Sequence, residues 1–290
     1  ISARNALKRA SIAPLNLHPK EGLSLVNGTQ VSTALAIKSM LDSDVLLKTA
    51  DAVGALSVES SLSSGDVFKS SIHQLKKHPG QRITARNVLK MISGSEIVAS
   101  HKECGTIQDP YSFRCIPHIH GSCRDSIKHA GDIINNEINS VSDNPVILDN
   151  GKVAYSGHFH AEPVAQALDF IAIAMAELGA ISERRTYFFM KGISGRITPF
   201  LAIQPGVESG YMMAQVTAST LVSENKTLAH PASIDSLPTS GGQEDLVSMA
   251  PWAGLKLLQI QKNVRQIMAI ELLVASAAST LFHAGLKPGK

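Results

Sequence analysis

The sequence predicts an all-α fold, a bundle of long and mostly antiparallel helices. Three observations predict it: long segments rich in Ala, Leu, Ser and Met contain no proline, one segment is apolar around most of its circumference, and few segments alternate strictly between apolar and polar residues. The 290 residues are enough to bury a sizeable core. We predict a single helical domain over residues 1–290.

The helical pattern is carried by four segments, at residues 29–60, 165–190, 208–230 and 253–284. The second of these is apolar around most of its circumference, which is typical of a helix buried among other helices. At ~1.5 Å per residue it would be on the order of 40 Å long. The fourth is followed by Gly285, with Pro288 just beyond, which is a reasonable C-terminal stop.

Residues 145–158 are the exception to the helical pattern. Two short extended runs flank Asn150-Gly151, a dipeptide that strongly favours a tight turn. We therefore predict one small β-hairpin in this segment.

The composition argues against several classes of protein. Hydrophobic residues make up 44% and charged residues 18%, a soluble globular composition. The net charge of +3 is small and its basic residues are dispersed, so we predict no nucleic-acid partner. We find no apolar run of the ~20 residues needed to span a bilayer and no signal-peptide pattern, so we expect no membrane segment.

The cysteines indicate a compartment and exclude one kind of site. Three cysteines without a CxxC pair favour a reducing compartment, and we predict a cytoplasmic location. Cys104 and Cys115 are near His118 and His120 in sequence, but the spacing fits no closed zinc pattern. We predict no metal site.

Polar residues are concentrated in five loops that adjoin predicted helices, with the sequences LVNGTQ, TIQDPYSFRC, SVSDNPVI, GHFHAEPVA and LPTSGGQEDLVSM. In any single loop such residues could simply cap a helix, as Asp109 followed by Pro110 would. Five such loops in one helical chain favour a shared polar site between helices.

The second of these loops has a regular spacing, because Gln108, Tyr111 and Arg114 recur at every third position. If the loop were helical, the three side chains would fall within an arc of about 120°. All three could then face one pocket.

Seven motifs carry a family resemblance, in the order NGTQ, QDPYSFRC, VSDNP, FHAEPVA, SERR, SENKTLAHPASIDSLPTS and QEDLVSMA. They resemble the aromatic amino acid ammonia-lyases, and most closely the histidine-specific branch, from about Pro14 to Leu273. The resemblance implies a carbon–nitrogen lyase of histidine catabolism that converts L-histidine to trans-urocanate and ammonia. Two alternatives remain open: a truncated, non-catalytic paralogue that acts as a helical scaffold or subunit partner, and a phenylalanine or tyrosine ammonia-lyase or aminomutase.

The same resemblance implies roles for the spaced residues. The planar fork of Arg114 matches a carboxylate in two hydrogen bonds, and the resemblance assigns it to the substrate carboxylate. The family carries an electrophilic group built from its own backbone. Tyr111 resembles the catalytic phenol that lines the pocket of this electrophile, and Gln108 resembles the amide beside that phenol. Without the neighbouring motifs, Arg114 would be interpreted as half of a surface salt bridge.

Four further residues match positions of the family's site. Asn27 and Asn144 resemble amides that line the pocket, although each lies in a turn-forming sequence. Phe159 resembles the ring that borders the electrophile, with core packing as its alternative. Glu244 resembles the catalytic acid that accepts the imidazole N–H of the substrate, and its alternative is an acidic residue in the first turn of a helix.

The resemblance implies no diffusible cofactor. The family builds a methylidene-imidazolone electrophile from an Ala-Ser-Gly triplet upstream of NGTQ, and the 26 residues before Asn27 do not contain it. Ser64-Gly65-Asp66 lies downstream and is interpreted as a polar loop. We therefore expect this chain to be the central portion of a longer ammonia-lyase and to be inactive alone.

The family resemblance also implies an assembly. Its members form homotetramers whose active sites combine loops from several subunits, and long apolar helices in a thin bundle need partners to cover them. We predict such a homotetramer, with the amino acid L-histidine as its small-molecule substrate.

Overall fold

A computed structural model describes residues 1–102, 107–193 and 195–290, and the described chain is dominated by helices, as predicted. The α-helices are α1 (Ala3–Arg9), α2 (Glu21–Asn27), α3 (Gln30–Ser60), α4 (Ser70–His73), α5 (Pro79–Met91), α6 (Glu96–Ala99), α7 (Tyr111–Arg114), α8 (Ile116–Ile138), α9 (Glu162–Met190), α10 (Met212–Leu228) and α11 (Ala250–Phe282). Short 3₁₀ helices lie at Asp66–Phe68, Pro199–Leu201 and Ser240–Gly242.

All four predicted helices are confirmed, as α3, α9, α10 and α11, with ends that differ by a few residues from the predicted ones. The last of them ends at Phe282, three residues before the predicted stop at Gly285. The 23-residue helix α8 was not predicted. Its buried residues form a stripe among many His, Asp and Asn side chains, a pattern that composition alone does not reveal.

The predicted hairpin is confirmed but is short. Strands β1 (Val146–Ile147) and β2 (Val153–Ala154) pair in antiparallel register. Gly151 in the turn has a φ of 77°, a left-handed conformation that glycine adopts without steric cost.

Helices α3, α9 and α11 run in the same direction. The Gln261 amide donates to the Ser39 carbonyl oxygen at 2.7 Å, and the Ser57 hydroxyl donates to Glu271 at 2.6 Å, so the sequence rises along α3 and α11 together. Arg185 of α9 also contacts Glu271, while His160, just before α9, contacts the loop before α11.

Helix α8 runs the opposite way. Its last turn lies at the start of α3, where the Thr29 hydroxyl donates to Glu137 at 2.5 Å. Its first turns lie near the end of α3, where His120 bonds Asp51 at 3.1 Å. The bundle therefore has two ends. We call the end where α3, α9 and α11 begin the Asn27 end, and the opposite end, where α8 begins, the Arg114 end.

The core lies between α9, α11, α3 and α8, and is made of fully buried aliphatic side chains that include Leu168, Ile171, Met175, Leu178, Leu257, Ile260 and Val264. Each such side chain contributes roughly 1.5–3 kcal/mol when it is removed from water. This packing fixes the helix directions and thereby the loops that each end displays.

The expectation of no sufficiently long apolar segment was wrong. Two helices, α9 and α11, are long and apolar enough by length and composition to cross a membrane. The reason is their place in the bundle, since a helix surrounded by others is apolar on most faces. In α9, 67% of the most apolar 18-residue stretch is buried inside the fold. The same helix carries the buried charged residues Glu183 and Arg185.

Candidate active site

The predicted site residues lie at both ends of the bundle. Arg114 comes just before α8, and Asn144 follows it. The helix between them has 23 residues, which at ~1.5 Å per residue separates its ends by roughly 33 Å. Within one chain these residues therefore do not meet in one pocket.

At the Arg114 end, two predicted residues form a stacked pair. The guanidinium carbon of Arg114 lies 4.7 Å from the centre of the Tyr111 ring. Tyr111 is 70% exposed, and Arg114 is half-buried. Within the described part of the chain, Arg114 forms no ion pair with an acidic residue and its Nε atom has no hydrogen-bond partner. Among these residues the salt-bridge alternative for Arg114 therefore finds no support, and its guanidinium can bind an anionic ligand.

Gln108 lies outside the helix that carries Tyr111 and Arg114. Helix α7 begins at Tyr111, and Gln108 lies before it in an exposed loop without helical structure. The condition for an arc of three side chains, a helical loop, is therefore met at Tyr111 and Arg114 and not at Gln108.

The alternative of a helix cap at Asp109 was wrong. The residue that precedes α7 is Pro110, with an extended ψ of 156°, so Asp109 lies outside the helix. Its carboxylate instead accepts a hydrogen bond from the backbone N–H of Ser64 at 2.7 Å. The polar loop after α3 is thereby tied to the segment that carries Tyr111 and Arg114.

The inner side of α7 is anchored in the core. Phe113 is 1% exposed and packs edge-on against Phe188, with ring centres 5.0 Å apart. Arg185 donates to the Ser112 carbonyl oxygen at 3.4 Å and pairs with Glu271 at 2.9 Å in a fully buried ion pair. A helix of one turn thus has a fixed orientation, which the sequence motif SERR helps to set.

At the Asn27 end, the Asp143 carboxylate connects three elements. The Asn27 amide donates to it at 3.1 Å, the Ser24 hydroxyl donates at 2.6 Å, and Lys20 forms an ion pair with it. The Lys20 ammonium, followed by Ser24 and Asn27, holds the pKa of Asp143 well below its usual range. Sequence reasoning missed Asp143 and Lys20, although Asp143 stands beside Asn144 in VSDNP.

The NGTQ and VSDNP loops are in direct contact. A Cβ atom on Gly28 would lie 2.4 Å from the Ser142 carbonyl oxygen, so only glycine fits this approach. The Thr29 N–H donates to the Ser142 hydroxyl at 3.4 Å. Asn27 and Asn144 are therefore held next to each other, and the Asn27 amide lies 3.5 Å from the Asn144 carbonyl oxygen.

Two further loops join this end. Asn144 accepts a hydrogen bond from the Ser156 N–H at 2.8 Å, which connects it to the hairpin. His160 bonds the Leu246 carbonyl oxygen at 3.1 Å, which connects FHAEPVA to QEDLVSM. Phe159, which directly precedes His160, is 40% exposed, so core packing does not account for the presence of this aromatic ring.

Glu244 lies in the loop before α11 and not in a helical first turn, because α11 begins at Ala250. The alternative of an acidic residue in the first turn was therefore wrong. The Thr239 hydroxyl donates to the Glu244 carboxylate at 2.5 Å and, with Ser240, lowers the pKa of Glu244. The exposed carboxylate is thus charged and can accept an N–H donor.

Other candidate sites do not overlap with these residues. A cavity of about 540 Å³ lies along α5 and α8, is lined by residues that include Lys76, His78, His118 and His129, and contains none of the predicted site residues among its described lining. Within residues 1–102, 107–193 and 195–290 no group of three potential metal ligands is found. Cys104 lies outside the described residues, and the buried His120 bonds Asp51.

The Ser64-Gly65-Asp66 segment has ordinary geometry. Ser64 is exposed, and Gly65 has a φ of −75° and a ψ of −13°, an unstrained helical conformation at the start of a 3₁₀ turn. This geometry agrees with the interpretation of the segment as a polar loop.

A comparison with protein families agrees with the motifs. The sequence model of the family described as aromatic amino acid lyase matches residues 1–290. This chain belongs to the aromatic amino acid lyase family. The family is thus supported over the whole length of the chain, including both ends of the bundle.

Individual proteins resemble the chain in sequence and in structure. Histidine ammonia-lyases of Burkholderia cenocepacia strain HI2424 and Burkholderia multivorans are 50% identical over 276 residues, which is 95% of this chain and 54% of theirs. Histidine ammonia-lyase from Trypanosoma cruzi superposes with a TM-score of 0.89 at 36% identity, over 99% of this chain and 54% of its own.

Aminomutases are similar to the chain in structure as well. Tyrosine aminomutase from Streptomyces globisporus has a TM-score of 0.92 at 32% identity, over 99% of this chain and 59% of its own. The chain therefore spans about half the length of the relatives that it matches.

Proposed function

We propose that this chain is the central portion of a histidine ammonia-lyase, which eliminates ammonia from L-histidine to give trans-urocanate in histidine catabolism. The observation that carries the proposal is the 50% identity, over 95% of the chain, to relatives named histidine ammonia-lyase. The charged, exposed Glu244 carboxylate adds support, since it offers an acceptor that an imidazole N–H can use and a phenyl ring cannot.

The elimination requires a clamp on the carboxylate, a positioned catalytic group and a recognised side chain. Arg114 binds the substrate carboxylate through two charge-assisted hydrogen bonds. Tyr111 lies in the stack with Arg114 and offers a phenol beside the reacting carbon. Gln108 contributes an amide to the same loop, and Glu244 accepts the imidazole N–H.

The electrophile of this family is a methylidene-imidazolone group, which activates the departing amine when it is present. The Asn144 amide and the half-exposed ring of Phe159 suit a neutral, planar group with a carbonyl oxygen, and Asn27 lies beside Asn144. In our proposal Asn144 and Phe159 hold this group, Asn27 faces the substrate, and no diffusible cofactor takes part.

An active site shared between subunits accounts for the separation of the two ends. Because roughly 33 Å of α8 lies between Arg114 and Asn144, one chain cannot supply both to the same substrate. A homotetramer brings the Arg114 end of one subunit to the Asn27 end of another. Exposed apolar side chains on α3, namely Val31, Leu41 and Val45, support such an assembly. The proposed location is the cytoplasm, which agrees with the free thiols of Cys115 and Cys123.

The test uses the full-length protein that contains this chain. It is incubated with L-histidine, and urocanate is followed by its ultraviolet absorbance together with release of ammonia. We expect turnover of L-histidine and little turnover of L-phenylalanine or L-tyrosine. The absence of urocanate from L-histidine would contradict the proposal.

The second candidate is an aromatic lyase or aminomutase, favoured by the close superposition with tyrosine aminomutase. The same assay with L-phenylalanine and L-tyrosine separates the two, with products identified by mass spectrometry. A lack of turnover with all three amino acids would favour the non-catalytic scaffold.

A further inference from the structure

The carboxylate of Asp143 has all of its acceptor positions filled by donors on the protein. Its Oδ2 atom receives the Lys20 ammonium and the Ser24 hydroxyl. Its Oδ1 atom receives the Asn27 amide at 3.1 Å and the backbone N–H of Asn144 at 2.7 Å. The two oxygens thus bind different groups. Oδ2 holds the start of α2 through Lys20 and Ser24, and Oδ1 accepts hydrogen bonds from two residues of the proposed site, Asn27 and Asn144.

These contacts fix the orientation of the Asn27 amide. Its nitrogen faces the Asp143 carboxylate and the Asn144 carbonyl oxygen, and neither of these groups can donate a hydrogen bond. The reverse orientation would place the amide oxygen against two acceptors. Both N–H bonds of Asn27 are therefore used within the protein, and among the described residues no donor bonds its Oδ1 atom.

We propose that Asp143 is a positioning residue that holds the Asn27 amide with its oxygen presented to the substrate, as an acceptor for the α-ammonium group of the amino acid. The inference rests on the proposed function and deepens it, because it states which atom of Asn27 acts and what orients it. Asp143 itself does not contact the substrate.

The charge of Asp143 suits this role. Lys20 neutralises it and, with Ser24 and Asn27, keeps its pKa well below the usual range, so the carboxylate stays ionised at any pH where the enzyme would work. An ionised carboxylate only accepts hydrogen bonds. It therefore cannot allow the Asn27 oxygen to turn toward it.

The experiment replaces the acceptor by a donor in the full-length protein, with Asp143→Asn. The new amide keeps its oxygen toward the Lys20 ammonium, which needs an acceptor, and so directs its nitrogen at Asn27. The side-chain amide of Asn27 must then flip, so that its N–H bonds face the substrate ammonium. We expect kcat/KM for L-histidine to fall about tenfold to a hundredfold.

Two further variants separate positioning from stability. Ser24→Ala removes a hydrogen bond from the other oxygen of Asp143, so it should lower Tm to an extent similar to that of Asp143→Asn, with kcat/KM near that of the parent protein. The variant Asp143→Glu keeps a carboxylate that can only accept hydrogen bonds. It should therefore retain more kcat/KM than Asp143→Asn.

Each outcome either supports or overturns the inference about Asp143. Parental kcat/KM in Asp143→Asn, or equal losses in Ser24→Ala and Asp143→Asn, would overturn the inference while leaving the proposed function intact. If the parent protein does not turn over L-histidine, the proposed function fails. Thermal unfolding then still tests the orientation, because Asp143→Asn sets N–H bonds against N–H bonds and should lower Tm more than Asp143→Glu, and an unchanged Tm in Asp143→Asn would overturn it.

Discussion

The Arg114 guanidinium lies on the Tyr111 ring, and this stack limits the positions that its planar fork can take. Helix α7 has a buried inner face at Phe113, so the pair points away from the core. A fixed fork loses less conformational entropy when it binds a carboxylate than a free side chain would. The expected effect of Arg114 on substrate binding follows from this geometry.

Replacement of Arg114 by Ala should raise KM for L-histidine in the full-length enzyme. The loss of charge-assisted hydrogen bonds corresponds to roughly 1.5–3 kcal/mol, about tenfold to a hundredfold in affinity. Arg114→Lys should recover only part of the lost affinity, because a point charge cannot make the second parallel hydrogen bond. Steady-state kinetics measure both variants, and unchanged KM in Arg114→Ala would remove this residue from the substrate site.

Glu244 offers a prediction about substrate choice. Glu244→Gln keeps the size of the side chain and removes its charge, so kcat/KM for L-histidine should fall by about tenfold. The lowered pKa of Glu244 means that the carboxylate is already ionised throughout neutral pH, so the pH profile should keep its shape. Any residual rate with L-phenylalanine serves as the control and should not fall. An equal loss with both amino acids would contradict imidazole recognition by Glu244.

At the scale of elements, glycines set the distance between α5 and α8. A Cβ atom on Gly121 would lie 2.4 Å from the Gln81 backbone, and one on Gly80 would lie 2.2 Å from the Gly121 carbonyl oxygen. The two helices therefore touch backbone to backbone. Since α7 leads directly into α8, this contact also determines where Tyr111 and Arg114 lie.

Gly121→Ala should accordingly destabilise the fold by about 1–3 kcal/mol, the usual cost of overpacking. The matched control is Gly157→Ala, whose Cβ atom would meet nothing within 4 Å and should change stability by less than about 0.5 kcal/mol. Denaturant unfolding measures both variants. Equal stability of Gly121→Ala and the parent protein would show that α5 and α8 can move apart without cost.

At the scale of the whole molecule, the two separated groups of site residues require more than one chain. We predict that the full-length protein is a homotetramer in solution, because the exposed apolar side chains of α3 need cover and the two ends need partners. Light scattering on the intact protein measures the mass. A stable and active monomer would contradict both the assembly and the shared site.

The 290 residues expressed alone should have no lyase activity. The described loops hold groups for a carboxylate and an imidazole, but the Ser64-Gly65 segment is unstrained and lacks the Ala-Ser-Gly sequence. The assay follows urocanate formation together with the intact mass, in which the loss of two waters would reveal cyclisation. Turnover and mass loss that both disappear in Ser64→Ala would show that this segment forms the electrophile.

Much of the fold could be predicted from local sequence. The hairpin follows from Asn150-Gly151, and the four long helices follow from apolar periodicity, because both signals act over a few neighbouring residues. Helix α8 was missed because its buried stripe is visible only when its partners are known. The alternative of a helix cap at Asp109 was wrong because its carboxylate accepts a hydrogen bond from the backbone N–H of Ser64, which lies in a loop distant in sequence.

Motifs and short-range periodicity were enough to predict the family, the four long helices α3, α9, α10 and α11, and the candidate site residues. The placement of Arg114 and Asn144 at opposite ends of α8, and the contacts of Asp143 with Lys20, Ser24 and Asn27, could not be predicted in this way. These arrangements arise from the direction and packing of helices distant in sequence. Each contact of this kind joins residues more than a hundred positions apart, and no local pattern records such a pairing.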